Sequence, residues 1–132
     1  MPVLAAVDNV RERPSRPLLT AHELARDLEE ELVVLHVLPQ ETAERRIDNR
    51  ADYYLDDAQE DAAVIAREVV EETLGDGADV RARGRVGSPA EEVLDAADRD
   101  RVRYLVIGGR RRTPVGKALF GSVTQSILLE AE

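Results

Sequence analysis

The stretch YLVIGG at residues 104–109 decides the fold, together with the segment that follows it. A strand-like run ends in two glycines, a basic loop begins at residues 110–112, and Gly121-Ser122 opens a predicted helix. Gln125 lies three residues after Ser122, which is the spacing of a capping box. A helix N-terminus carries free backbone N–H groups and the positive end of a dipole. The loop and the first turn of this helix therefore predict a site for an anionic group.

Three further segments have strand character. Two are continuous apolar runs, at residues 2–7 and 32–37, and such runs are typical of strands buried in a parallel sheet. The third, at residues 78–83, alternates apolar and charged residues, which predicts an edge strand or a strand with one wet face. Residues 102–107 complete the set as the strand that runs into the glycines.

Helical patterns occupy the gaps between these strands. Apolar residues share one face over residues 18–28, and a longer amphipathic pattern covers residues 51–69 until Gly75-Asp76-Gly77 stops it. A third helix begins with Ser88 as its N-cap and Pro89 at its first position. Each helix thus follows a strand, as in a chain built from strand–helix–strand units.

Two segments are predicted to lack regular structure. Residues 10–17 contain two prolines and several arginines, which indicate a loop, and residues 39–49 are polar and charged, which indicates a solvated connection. The alternation of strands and helices predicts an α/β fold with a mostly parallel sheet and helices on both faces. Ligands of such folds bind beyond the carboxyl ends of the strands, where the winding direction reverses.

Composition excludes several function classes. The net charge is −9, with 27 acidic against 18 basic residues, so neither nucleic acid nor a membrane surface is an expected partner. Without cysteine, disulfides and thiolate metal sites are excluded. The 132 residues are expected to form one domain without a signal peptide or membrane span, which predicts a cytoplasmic protein. Lys117 is the only lysine, and this indicates either a halophilic source or high-GC codon usage.

Motifs for catalysis and metal binding are not fulfilled. Six residues separate Gly109 from Gly116 where a phosphate-binding P-loop needs four, and Ala118 stands where that motif needs Ser or Thr. Ser122 has no evident histidine partner for nucleophilic catalysis. We therefore expect no catalytic residue.

The histidines and tyrosines are assigned structural roles. His36 lies in an apolar run and is interpreted as a core or crevice-lining residue, and His22 as a residue of the apolar helix face. The two do not share a metal-binding spacing, so no metal site is expected. Tyr53, Tyr54 and Tyr104 are expected to supply packing area.

With these residues in place, the chain resembles the universal stress protein superfamily over nearly its whole length. The family signature is a glycine, two residues, a second glycine, nine residues, and then Gly-Ser or Gly-Thr. Gly108, Arg111 and Gly121-Ser122 reproduce that spacing. Supporting matches are AVD at residues 6–8, LHV at residues 35–37 and GSPAEEV at residues 87–93.

The resemblance implies one domain over residues 1–132, with a flavodoxin-like, adenine nucleotide alpha hydrolase-like sheet of strand order 3-2-1-4-5. This Rossmann-like fold would make the protein a stress-response or regulatory module that binds ATP, or AMP or ADP, with Mg accompanying the nucleotide. The adenosine side would be held by Val7, Asp8 and Val37, the ribose by Ile107 and Gly108, and the phosphates by Gly121, Ser122 and Val123.

The chain departs from the family pattern at Arg111, which replaces the second glycine of the signature. Glycine lets the backbone approach a phosphate closely, so a side chain there either blocks the site or grips the phosphates through charge-assisted hydrogen bonds. If it blocks the site, the protein would instead be an interaction module that dimerises or docks on a regulatory partner without binding nucleotide.

A second departure is the expected lack of a fifth strand, because the chain stops at residues 129–132. Family members often use that strand in dimerisation, so the resemblance implies a homodimer whose interface is unassigned. Either a partner chain pairs with strand four, or the last helix packs over it, or the chain is truncated. The resemblance also implies that this protein could have weak ATPase or autophosphorylation activity, as some members of the family do. A nucleotide-handling transferase is a third alternative, although it would need a positioned acid or base that the sequence does not reveal.

Overall fold

A computed structural model describes residues 1–7, 15–75 and 79–107. Four strands and four helices lie in these ranges and alternate along most of the chain. In chain order they are β1 (Val3–Ala6), α1 (Arg16–Leu28), β2 (Leu32–Pro39), α2 (Gln40–Asn49), α3 (Leu55–Leu74), β3 (Arg81–Gly87), α4 (Pro89–Arg99) and β4 (Tyr104–Ile107).

The strands form one parallel sheet of order β3-β2-β1-β4. The α/β class, the parallel sheet and the order of the first four strands are confirmed. β1 lies between β2 and β4, and its residues Val3, Leu4 and Ala5 are fully buried. The helix that was predicted to open at Ser122 and the question of a fifth strand lie outside the described residues.

Helices cover both faces of this sheet, as predicted. Val3, Ala5 and Val34 pack with α1 and α3 on one face, which we call the α1/α3 face. Leu4 and Leu35 pack with α4 on the other, the α4 face. This separation follows from the alternation of side chains along each strand and from right-handed crossovers.

The start of α1 corrects the sequence prediction, which had extended the preceding loop to Pro17. The helix begins at Arg16, and the hydroxyl of Ser15 caps it by accepting the N–H of Leu18 at 3.4 Å. Pro17 is tolerated because the first turn of a helix has no intrahelical use for the missing N–H. The rest of the predicted loop, residues 10–14, lies outside the described residues.

Helix α2 is a second correction, because its residues were predicted to be a solvated connection. It contributes one fully buried residue, Ala43, to a small apolar cluster with Leu38 and Ala58. Arg46 ties it to α3 through an ion pair with Asp61 at 2.7 Å. One buried alanine gives no visible periodicity, so the sequence did not reveal this helix.

Helix α3 begins at Leu55, four residues later than predicted, and ends at Gly75, where φ is +83° and glycine is favoured. The N–H of Tyr54 donates to the carboxylate of Asp57 at 2.8 Å, which caps the helix start. Tyr54 and Tyr104 are exposed, so the prediction that they supply packing area is wrong, whereas Tyr53 packs beside α2.

Strand β3 is the edge strand that its alternating pattern predicts, but it begins three residues later, at Arg81. Gly84 lies in its middle, directly beneath α3. A Cβ added to Gly84 would overlap backbone atoms of Gln59, Ala62 and Ala63. The glycine at this position therefore allows α3 to lie close to the sheet.

Candidate functional site

The winding direction of the sheet reverses at β1. The chain passes from β1 through β2 to β3 at one side of the sheet, and then crosses to the opposite side of β1 to form β4. Ala6, the last residue of β1, pairs with Leu35 of β2 and with Ile107 of β4. The carboxyl ends of β1 and β4 therefore adjoin at a topological switch point, where open parallel sheets bind their ligands.

Three predicted site residues border this switch point. Val7 follows β1 directly, Ile107 ends β4, and Val37 lies in the part of β2 that continues past the end of β1. Val7 is 9% exposed and Val37 is 7% exposed, while Ile107 is half-buried. The structure thus brings the three to one edge of the sheet, although Val7 packs on the α1/α3 face and the other two on the α4 face.

His36 lies between these residues and is 6% exposed, which confirms its interpretation as a core or crevice-lining residue. Its Nδ1 is 2.9 Å from the carbonyl oxygen of Val7. Because a carbonyl only accepts, Nδ1 carries the proton of this hydrogen bond. The N–H of Val7 donates to the carbonyl of Leu35 at 2.8 Å, so β2 holds both polar groups of the Val7 backbone.

The remaining six predicted site residues have no described position. They are Asp8, Gly108, Arg111, Gly121, Ser122 and Val123. The described part of the site is therefore its apolar border and the end of β1, while the residues assigned to the phosphates lie outside it. His22 is half-buried on α1, as the apolar helix face predicted.

Within residues 1–7, 15–75 and 79–107, no group of three or more His, Asp or Glu side chains is arranged so that it could hold a metal ion. None of the helices within the same ranges is both long enough and apolar enough to cross a membrane.

A shallow cavity of about 60 Å³ lies elsewhere, on the α4 face. Its floor is apolar, and three arginines and an aspartate form its rim. Arg83 is paired with Asp100 at 2.7 Å, and Arg85 and Arg99 share Asp95 at 3.0 and 3.1 Å. Since each of these guanidinium groups already has a carboxylate, the switch point is the better candidate for an anionic ligand.

A family model described as the universal stress protein family matches residues 1–132. The chain belongs to this family. A curated universal stress protein of Mycolicibacterium smegmatis is 58% identical over 40 residues, which are 30% of this chain and 31% of that relative. This match therefore spans about a third of the relative's length.

Solved structures of universal stress proteins share the fold. One from Archaeoglobus fulgidus is 29% identical, with 98% of this chain and 92% of that chain covered and a TM-score of 0.59. Another from the same organism was determined in complex with dAMP; it is 25% identical, with coverages of 98% and 90% and a TM-score of 0.61. A third, in complex with cAMP, is 21% identical, with coverages of 97% and 89% and a TM-score of 0.66, and supports the fold alone.

Proposed function

We propose that this universal stress protein binds an adenine nucleotide beyond the carboxyl ends of β1 and β4 and acts as a stress-response regulatory module. The observation that carries the proposal is the switch point itself, where Ala6 and Ile107 end neighbouring strands in register and Val7 follows directly. Its apolar border suits the weakly polar faces of an adenosine group. The relative from Archaeoglobus fulgidus that was solved with dAMP supports an adenine nucleotide as the ligand class.

Within this proposal, the residues divide into an adenosine side and a phosphate side. Val7 and Val37 contribute to the adenosine side with Asp8, and Ile107 lies beside the ribose with Gly108. Gly121, Ser122 and Val123 take the phosphates through backbone N–H groups and the serine hydroxyl, and Arg111 adds a charge-assisted hydrogen bond. ATP is the proposed nucleotide, with AMP or ADP as the alternative, and Mg enters with the nucleotide.

One residue favours a second function. Arg111 stands where the family signature has glycine, and a side chain there would fill the space that a phosphate needs. In this alternative the protein is a homodimer or docks on a partner protein, without binding nucleotide. The two functions make opposite predictions for a single substitution, Arg111→Gly.

Titration calorimetry with AMP and with ATP, each with and without Mg and in both dilute buffer and concentrated KCl, tests the proposal. We expect micromolar dissociation constants for the wild type. Ile107→Ala should weaken binding about tenfold, a loss of ~1.4 kcal/mol, because it removes apolar contact area beside the ribose. Tyr104→Ala is the matched control, since Tyr104 lies at the opposite end of the same strand and should leave the affinity unchanged.

Absence of binding in both buffers would contradict nucleotide binding by the wild type. Binding that appears only in Arg111→Gly would then support the interaction module as the function of the natural chain. Turnover of ATP at ordinary enzymatic rates would contradict both functions and favour a nucleotide-handling enzyme.

A further inference from the structure

The end of β1 is held by a side chain as well as by the sheet. The regular pairing of β1 stops at Ala6, yet the next residue, Val7, is bonded to β2 through both of its backbone polar groups. A main-chain carbonyl of β2 accepts its N–H, and the imidazole of His36 donates to its C=O. The second bond depends on the identity of one side chain, so it is open to substitution.

The imidazole has a fixed place in the sheet. His36 is in register with Gly84 of β3, where α3 passes directly over the strand. The alternation along β2 puts His36 on the α1/α3 face, with Val34 two residues before it in the core of that face. The His36 side chain is 6% exposed, and α3 already contacts the backbone of the neighbouring Gly84. In such a closely packed interior the imidazole ring holds a defined orientation.

We propose that His36 is a positioning residue of the nucleotide site, an inference that rests on the proposed function. A peptide group is planar, so the hydrogen bond to the Val7 carbonyl fixes the plane of the peptide group that leads out of β1. His36 thereby sets the direction in which the chain leaves β1 for the adenosine side of the site.

Two substitutions separate the hydrogen bond from the packing of the ring. His36→Phe keeps an aromatic ring but removes the donor. His36→Asn keeps a donor, because the Asn amide nitrogen lies the same number of bonds from the backbone as Nδ1. Val34→Ala is the control for general destabilisation, since it removes buried volume on the same strand and face at a position that is in register with Ala5, two residues before Val7.

Two readouts are measured on the full chain. The first is the dissociation constant for AMP by titration calorimetry. The second, which needs no ligand, is the ¹³C chemical shift of the Val7 carbonyl in the free protein, because this shift reports its hydrogen bond directly. Thermal unfolding of each variant shows how much stability it has lost.

The proposal expects His36→Phe to weaken AMP binding about tenfold and to move the Val7 carbonyl shift, with His36→Asn restoring the affinity to within about threefold of the wild type. Val34→Ala should lower the unfolding temperature and change neither readout. Should His36→Phe fail to fold, His36→Met replaces it, because its flexible side chain fills space and also lacks a donor.

Wild-type affinity in the variant that lacks the donor would overturn the proposal. So would an affinity of His36→Asn as weak as that of His36→Phe, since packing of the ring would then explain the loss. If the wild type binds neither AMP nor ATP, the proposed function fails, and the carbonyl shift alone decides whether His36 holds the end of β1. An unchanged shift in His36→Phe would overturn that role too.

Discussion

The two faces of β3 are held to the molecule in different ways. On the α1/α3 face the strand carries small or apolar side chains, and α3 lies so close that only glycine fits at position 84. On the α4 face the same strand carries Arg81, Arg83 and Arg85, which reach carboxylates. One face is fixed by backbone contact, and the other by charges at the ends of long side chains.

The three arginine side chains of β3 differ in how much of each is exposed to solvent. The side chain of Arg85 is 23% exposed and pairs with Asp95 at 3.0 Å, whereas that of Arg81 is 62% exposed and pairs with Glu31 at 3.4 Å. Arg83 is intermediate at 47%. Because solvent and salt screen exposed pairs, the stabilisation should fall in that order. The contact with α3, which contains no charge, should be insensitive to salt.

The largest expected effect is on the α3 side. Gly84→Ala should lower the free energy of unfolding by about 3 kcal/mol, because the new Cβ overlaps the backbone of α3 and the helix must move. Gly75→Ala is the matched control: nothing lies within 4 Å of its Cβ, so only its backbone conformation, with φ of +83° and ψ of 177°, is strained, at a cost of about 1–2 kcal/mol. Denaturant unfolding measures both. Equal losses would contradict the close approach of α3.

On the α4 side, Arg85→Met should lower stability by about 1 kcal/mol. It removes the ion pair with Asp95 and a hydrogen bond to the Glu92 carbonyl at 3.0 Å. Arg99→Met removes the second ion pair of Asp95. Because the Arg99 side chain is 70% exposed, this substitution should lower stability less than Arg85→Met. Unfolding in dilute buffer and in concentrated KCl gives the comparison. A loss at Arg99 larger than that at Arg85 would refute the grading by exposure.

Glu30 extends the comparison to a charged contact away from β3. Hydrogen bonds from the N-terminal amine and then from Arg103 hold the pKa of Glu30 below its ordinary value of 4.5, against opposing desolvation. A lowered folded-state pKa stabilises the protein above the ordinary value, and this contribution is lost as pH falls through the folded-state value. Glu30→Gln should therefore be less stable than the wild type at pH 7.

Unfolding of both proteins between neutral and acidic pH measures this difference, which should close as Glu30 becomes protonated. A difference that persists unchanged at low pH would show that Glu30 acts by packing and not by charge. Its effect should be smaller than that of Arg85, because the contact is screened by solvent.

The smallest effect is expected at Arg81. Arg81→Gln removes an ion pair between two side chains that are both more than half exposed, so stability should change by no more than ~0.5 kcal/mol. The same unfolding measurement in dilute buffer decides the outcome. A loss comparable to that of Arg85→Met would contradict the grading of these ion pairs by exposure.

The strands were predictable because each of their patterns has a simple physical cause. The apolar runs around β1 and β2 mark strands buried on both faces, and the alternation before β3 marks an edge. Gly84 obscured the limits of β3, since only the contact with α3 explains a glycine within a strand. Helix α2 was missed because tertiary contacts of Ala43 and Arg46, and not periodicity, position it.

The site was predictable at the level of strand ends. Parallel strands that alternate with helices place Val7 and Ile107 at one edge of the sheet, and the register confirms that placement. The hydrogen bond from His36 to Val7 was not predictable, because it joins residues far apart in the chain. A histidine within an apolar run was nevertheless a signal, since a buried imidazole needs a hydrogen-bond partner. The phosphate-side residues stay a prediction.

The central place of β1 has a consequence for folding. During synthesis β1 can pair with β2 as soon as residues 32–39 have emerged, but Val3 pairs on its other side with Tyr104, about a hundred residues later. Such non-local pairing slows folding and leaves a strand edge exposed in the nascent chain. Among the four described strands, β1 is therefore synthesised first and is one of the last to be enclosed, and chaperones have a long opportunity to act on it.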